Sequence, residues 1–218
     1  MRFMNIMDQV YQGRVIAVVR GLTTEYMLRL TQALKEGGIG MVELTFNQKA
    51  PETWQDTAAA ISAVRKEFGD DVAVGTGTVL TLEQFKIATD AGAQYIVSPT
   101  TDVEIIRTGK KHGLCMFPGA LTPTEILTAY NAGADAVKVF PVGCLGAGYI
   151  KAISAPLSHI PLMGNGGVNE KNAAEFIKAG CCCVGAGGNL VNKEWIKAGE
   201  WNKITALAKE FEKAVHSV

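Results

Sequence analysis

The 218-residue sequence predicts an α/β protein: one domain over residues 1–218, folded as a closed (β/α)8 barrel of the TIM type with a short helix ahead of it. Three observations lead there. Eight apolar runs alternate with helical stretches, in a length usual for one such barrel, roughly 200 to 250 residues. A helix-ending glycine recurs in Glu36-Gly37-Gly38, Ala91-Gly92-Ala93, Ala132-Gly133-Ala134 and Ala179-Gly180-Cys181, each just before an even-numbered strand. No Gly-x-Gly-x-x-Gly turn follows the first strand, where an open dinucleotide-binding sheet needs one.

The elements follow in order. Phe3, Ile6, Met7, Val10 and Tyr11 recur at helical spacing and stop at Gly13, predicting the leading helix. Val15 to Val19 is an unbroken apolar run, the pattern of a strand covered on both faces, and Arg20 stands at its exit. A helix from Thr24 to Lys35 ends at Gly37 and Gly38. Gly40 to Phe46 is the second strand, and Pro51 opens the helix that runs to Phe68, at a position where its missing N–H costs nothing. Residues 72–78 form the third strand, Thr81 caps a helix to Asp90, and Tyr95 to Pro99 is the fourth strand. A helix over 102–112 leads to the fifth strand, Leu114 to Phe117, and a helix from Pro123 stops at Gly133. Val137-Lys138-Val139 lies in the sixth strand, Tyr149 to Ser154 is helical, and Ile160 to Met163 is the seventh strand. Asn169 caps a helix over Glu170 to Ala179, and Cys181 to Val184 is the eighth strand. Trp201, Ile204, Leu207, Ala208, Phe211 and Val215 form one stripe of a closing helix.

Composition narrows the function. Lys plus Arg and Asp plus Glu both number 21, with no basic block, which argues against nucleic acid or an anionic membrane and for a small-molecule partner. No apolar run reaches the roughly 20 residues of a membrane span, and the start lacks a secretory signal, so a cytoplasmic location is expected. Cys181, Cys182 and Cys183 are consecutive, and strand alternation keeps them from meeting one metal. They read as buried thiols, with neither metal nor cofactor expected.

Two charges sit where apolar residues belong. Lys138 shares one strand face with Ala136 and Phe140, while Val137 and Val139 take the other. Burial disfavours an ammonium and turns a lysine into a nucleophile towards carbonyls. Glu43 and Thr45 share the face opposite Val42, Leu44 and Phe46, so an inward Glu43 on the second strand can meet Lys138 near the barrel axis. A buried pair seldom stabilises more than an apolar core does, which makes chemistry the better reason for keeping one. The loops Gly164-Asn165-Gly166-Gly167 and Gly185-Ala186-Gly187-Gly188-Asn189 follow strands seven and eight, where this fold seats phosphate through backbone N–H groups and a helix start after Asn169. Arg20 offers a bidentate contact for a carboxylate. Together these residues point to imine chemistry on a small keto acid.

The chain also resembles the 2-keto-3-deoxy-6-phosphogluconate and 2-keto-4-hydroxyglutarate aldolases. The likeness runs from Ala17-Val18-Val19-Arg20 through Val42-Glu43-Leu44-Thr45-Phe46, Gly75-Thr76-Gly77-Thr78-Val79, Ser98-Pro99, Phe117-Pro118-Gly119 and Lys138-Val139-Phe140-Pro141 to Gly166-Gly167-Val168. The resemblance implies a class I aldolase that releases pyruvate, with Lys138 as the Schiff-base lysine and Glu43 as the proton shuttle. It also implies Arg20 and Thr76 as substrate contacts, Pro99 and Phe140 as pocket walls, and a homotrimer. Three positions depart from the family pattern: Asn47 where many members have arginine, Asn165 where a threonine is common, and Gly188 where phosphate-using members have serine. Only backbone N–H groups and Asn189 then remain for a phosphate, predicting a weak preference for a phosphorylated substrate. Two other readings share the glycine loops: a different phosphate-binding barrel enzyme, such as an isomerase or synthase, and a non-catalytic phosphosugar-binding barrel. Neither needs Lys138.

Overall fold

The computed structural model describes residues 5–218, so Phe3 lies outside the described residues. Nine parallel strands form one sheet: β1 (Val15–Arg20), β2 (Met41–Thr45), β3 (Ala73–Gly77), β4 (Tyr95–Val97), β5 (Cys115–Phe117), β6 (Gly119–Ala120), β7 (Val137–Val139), β8 (Leu162–Asn165) and β9 (Cys181–Ala186). Their order is β5-β4-β3-β2-β1-β9-β8-β7-β6, so the first strand pairs with both β2 and the last strand, β9, and the sheet curls into a barrel. The expected count of eight becomes nine because Pro118, which has no N–H to give the ladder, splits the fifth strand into β5 and β6. The halves divide the neighbours, β5 pairing with β4 and β6 with β7. The Pro118 carbonyl still accepts from Lys138 N at 2.8 Å, so the break itself anchors the lysine-bearing strand.

The helices are α1 (Ile6–Gly13), α2 (Thr24–Glu36), α3 (Trp54–Phe68), α4 (Leu82–Asp90), α5 (Val103–Lys111), α6 (Pro123–Ala132), α7 (Ala147–Ser154), α8 (Ala173–Lys178), α9 (Lys193–Ala198) and α10 (Trp201–Val215). Several sequence boundaries hold to within a residue or two, and the local chemistry explains why. Thr81 caps α4 by accepting from Gln84 N. Thr122 and Glu125 form a reciprocal capping box at α6, which ends on left-handed Gly133. Two elements shift. The seventh expected strand begins two residues late, as β8 after Pro161, and extends through Asn165. The helix expected from Glu170 begins only at Ala173, because Asn169 folds a turn over Lys171 N and Asn172 N rather than opening the helix itself. Helix α9, capped by Asn192 on Glu194 N and Trp195 N, was not anticipated.

Strand alternation divides the core into two layers. Ile16, Met41, Ala73, Tyr95, Val97, Phe117, Ala136, Met163 and Cys183 fill the bore, closed at its N-terminal end by Val10 of α1. The larger outer layer packs the other strand faces on the helices and includes Val137, Val139, Val42, Leu44 and the α10 stripe Ile204, Ala208, Phe211 and Val215. Cys181 belongs to the outer layer and Cys183 to the bore, because a register irregularity at Cys182 reverses the alternation between them. Among the described residues no helix is long and apolar enough to cross a membrane.

Candidate active site

The C-terminal end of the bore gathers buried polar side chains. Lys138 (4% exposed) and Glu43 (0% exposed) both point inward, as the neighbours of Ala136 and Met41 in alternation must. Room for the Glu43 carboxyl comes from Gly77 on the adjacent strand: a Cβ there would fall on Glu43 Oε1. One layer down, the ring of Tyr95 covers Gly75 for the same reason and its hydroxyl donates to the Val42 carbonyl at 2.6 Å.

Glu43 and Lys138 are not a salt bridge. Among the described residues neither carboxyl oxygen of Glu43 has a hydrogen-bond partner. Desolvation raises the Glu43 pKa above its usual range, with the charges of Lys138 and Arg20 pulling the other way. Desolvation lowers the Lys138 pKa, opposed by Glu43 and reinforced by Arg20. Both shifts favour the neutral forms, a free amine and a carboxylic acid, the states needed for attack on a ketone and for delivering a proton. The Lys138 amine lies 5.1 Å from the centroid of the Phe140 ring.

A cavity of about 380 Å³ opens at the strand ends, lined by Val18, Arg20, Phe140, the Asn165 to Asn169 loop, Gly185 and the Gly187 to Asn189 loop, and it meets the pair through the Phe140 ring that the Lys138 amine faces. Arg20 ends β1 on the inward face, in step with Ile16 and Val18. Asn165 is 7% exposed and its Nδ2 has no partner among the described residues. Gly185 makes room for its amide. Gly166 and Gly167 have φ of +87° and +85°, the left-handed region that favours glycine, and the Phe140 ring packs against the first of them. Pro99 lies across Gly119, whose hydrogen takes the place a side chain would need, and Gly119 is the register partner of Lys138. Larger clefts of about 760 and 510 Å³ lie elsewhere, around Tyr11 and Cys182 and between α2 and α3. Neither is lined by a buried charged side chain.

Thr76 is not in this group. It shares the outward face of β3 with Val74 and is 0% exposed in the layer beneath the helices, because Gly75 and Gly77 hold the inward positions. The threonine at the mouth is Thr78, just past Gly77, with φ +58°. Its strained backbone is held by a chain of amides. Gln48 Nε2 donates to the Thr78 carbonyl at 2.7 Å and Gln84 Nε2 donates to Gln48 Oε1 at 2.9 Å. Fully buried Gln84 also accepts from Leu80 N at 2.7 Å. Strain of this kind collects at functional sites, but no pattern of residue types announces a positive φ at a threonine. Asn47, on the loop after β2, accepts from Lys49 N through its side chain and from the Trp54 indole through its carbonyl.

A parallel barrel holding a buried amine and a buried carboxylic acid at the C-terminal ends of its strands belongs to the imine-forming barrel enzymes. Within that class, the chain is a member of the KDPG and KHG aldolase family, whose model matches residues 6–207. It is 36% identical over 202 residues to the 2-dehydro-3-deoxy-6-phosphogalactonate aldolase of Escherichia coli strain K12, covering 92% of this chain and 96% of that one. It is 34% identical to the 2-dehydro-3-deoxy-phosphogluconate aldolase of Treponema pallidum, covering 94% and 95%. A crystal structure of the KDPG aldolase of Legionella pneumophila, with pyruvate captured as a covalent carbinolamine, superimposes with a TM-score of 0.83 at 30% identity, over 93% of this chain and 96% of that one.

Proposed function

We propose that this protein is a class I aldolase that reversibly cleaves a 4-hydroxy-2-keto acid to pyruvate and an aldehyde. The candidate substrates are 2-keto-3-deoxy-6-phosphogluconate, giving glyceraldehyde 3-phosphate, and 2-keto-4-hydroxyglutarate, giving glyoxylate. The observation that carries this reading is a lysine and a glutamate buried together in the bore, both biased to their neutral forms.

The steps follow from those two groups. The Lys138 amine adds its lone pair to the C2 ketone, forming a carbinolamine. Glu43 gives its proton to the departing hydroxyl, water leaves, and the C2 iminium becomes an electron sink. The Glu43 carboxylate then takes the proton of the C4 hydroxyl. The C4–O electrons form the aldehyde, the C3–C4 bond breaks, and its electron pair moves into the iminium to leave an enamine. Glu43 returns the proton to C3, and water hydrolyses the resulting iminium to pyruvate and the free amine. Arg20 and the Asn165 amide hold the keto-acid carboxylate, Pro99 and Phe140 wall the methyl end, and Thr78 takes the substrate-contact role expected of Thr76. Gly166, Gly167, Gly187 and Gly188 present backbone N–H groups to the distal end.

The homotrimer implied by the family resemblance and the cytoplasmic setting expected from the sequence belong to the same proposal. Light scattering that gives a monomer mass would reject the trimer. The aldolase reading is tested by coupled assay of pyruvate release from both keto acids. Absence of pyruvate from both rejects it.

A further inference from the structure

Glu43, Gly75 and Tyr95 stand side by side on β2, β3 and β4, as register partners in one row across the bore. The glycine leaves a space between the two side chains, and Tyr95 takes it: a Cβ at Gly75 would fall on the atoms of its ring. The phenol reaches past the glycine to β2, where its hydroxyl donates to the Val42 carbonyl at 2.6 Å. That hydroxyl has one hydrogen to give, so none is left for the carboxyl of Glu43. The Glu43 side chain runs the other way, along its strand to the next inward glycine, and its carboxyl lies where a Cβ of Gly77 would be. Two glycines two residues apart thus make two seats, a lower one filled by the phenol and an upper one filled by the carboxyl at the mouth. The groups are close enough that the charge of Glu43 adds to burial in raising the Tyr95 pKa. Among the described residues no hydrogen bond holds the carboxyl in the upper seat, so packing alone keeps it there.

We propose that Tyr95 is a positioning residue for the aldolase reaction: its ring, by occupying the place over Gly75, holds the Glu43 carboxyl over Gly77 at the mouth. With a smaller side chain at position 95 the carboxyl can swing down into the vacated space, away from the C4 hydroxyl and the C3 carbon that it serves, and a displacement of that size is costly in turnover. The inference deepens the aldolase reading and rests on it.

The test uses Tyr95→Leu, which opens the lower seat, and Tyr95→Phe, which keeps it filled, each alone and combined with Glu43→Gln. Pyruvate release from both keto acids and exchange of the pyruvate methyl protons are measured on protein shown to be folded by urea unfolding. Tyr95→Leu should lower kcat about 10- to 100-fold with KM within about twofold, and should slow methyl-proton exchange by a similar factor. Tyr95→Phe should hold kcat within about twofold of wild type. In the Glu43→Gln background Tyr95→Leu should cost no more than about twofold, because the group it misplaces is already gone. Unchanged kcat in Tyr95→Leu, or a fall as large in the Glu43→Gln background as in wild type, overturns the proposal and leaves Tyr95 as a support of the barrel alone. Should Tyr95→Leu not fold, Tyr95→Met, which vacates less of the space, carries the same comparison with the same outcomes. Failure of the aldolase reading shows separately, as a wild type that releases pyruvate from neither keto acid, and overturns both.

Discussion

The floor and the mouth of the barrel bore are built from the same alternating strand positions, yet they treat polar atoms in opposite ways. At the floor the one polar side chain of bulk, Tyr95, is satisfied: its hydroxyl reaches across Gly75 to the Val42 carbonyl, and its ring packs 5.5 Å from that of Phe117. At the mouth Glu43 and the Nδ2 of Asn165 are buried without a partner among the described residues. A buried polar group lacking a hydrogen bond costs stability. The floor therefore holds the barrel together, and the mouth carries a cost that the proposed roles of Glu43 and Asn165 towards a ligand account for.

The largest expected effect breaks the mouth. Glu43→Gln should slow turnover by on the order of 10² to 10⁴, the range for a general acid and base, and leave the melting temperature no lower than that of wild type. A variant that still exchanges the methyl protons of pyruvate at the wild-type rate would reject the role of Glu43. The mirror experiment breaks the floor. Tyr95→Ala should cost about 3 to 5 kcal/mol of stability, seen in urea unfolding. Tyr95→Phe, which loses the hydroxyl alone, should cost about 1 kcal/mol. Equal stability losses for Glu43→Gln and Tyr95→Phe would erase the contrast between the layers.

The contrast also has a pH signature. The Glu43 pKa in the folded state lies above its ordinary value of 4.5, so between the two values the folded protein binds the extra proton. Stability from this group is present below 4.5 and is lost as pH rises through the folded pKa. Urea midpoints of wild type and Glu43→Gln should therefore diverge in favour of the variant as pH climbs through that window. Parallel curves would mean that Glu43 ionises as freely in the fold as in the unfolded chain.

Much of this was legible in the sequence. The inward direction of Lys138 and Glu43 follows from period-two alternation inside apolar runs, and the helix-ending glycines marked the barrel's rhythm. The failures have two sources: Thr76 was implied by the resemblance against strand alternation, and the others arise where a strand stops being regular. Thr76 obeys alternation and is carried to the outer layer, whereas Thr78 leaves it at a positive φ. Pro118 interrupts the fifth strand and Cys182 reverses the eighth, neither visible as a change in hydrophobic pattern. The hydrogen bond from Asn189 Nδ2 to Glu170 spans 19 positions and joins two loops that only the closed barrel brings together.

A smaller effect should come from the amides that hold Thr78. Gln48→Ala cuts the link between Gln84 and the Thr78 carbonyl and should raise KM several-fold, about 1 kcal/mol for one hydrogen bond, with kcat unchanged. A fall in kcat with KM unchanged would place these glutamines in the chemistry instead. The smallest effect is expected from chelation, since the iminium supplies the electron sink: full activity after exhaustive chelator treatment, against loss that magnesium or manganese restores.

The most direct measurement is reductive trapping at Lys138. Borohydride added with pyruvate should inactivate the protein and add one pyruvate-derived mass to the peptide that carries Lys138. In Glu43→Gln the same label should appear at the same lysine but more slowly, since dehydration of the carbinolamine has lost its proton donor. Labelling at another lysine, such as exposed Lys151, or no labelling while pyruvate release continues, would contradict the account.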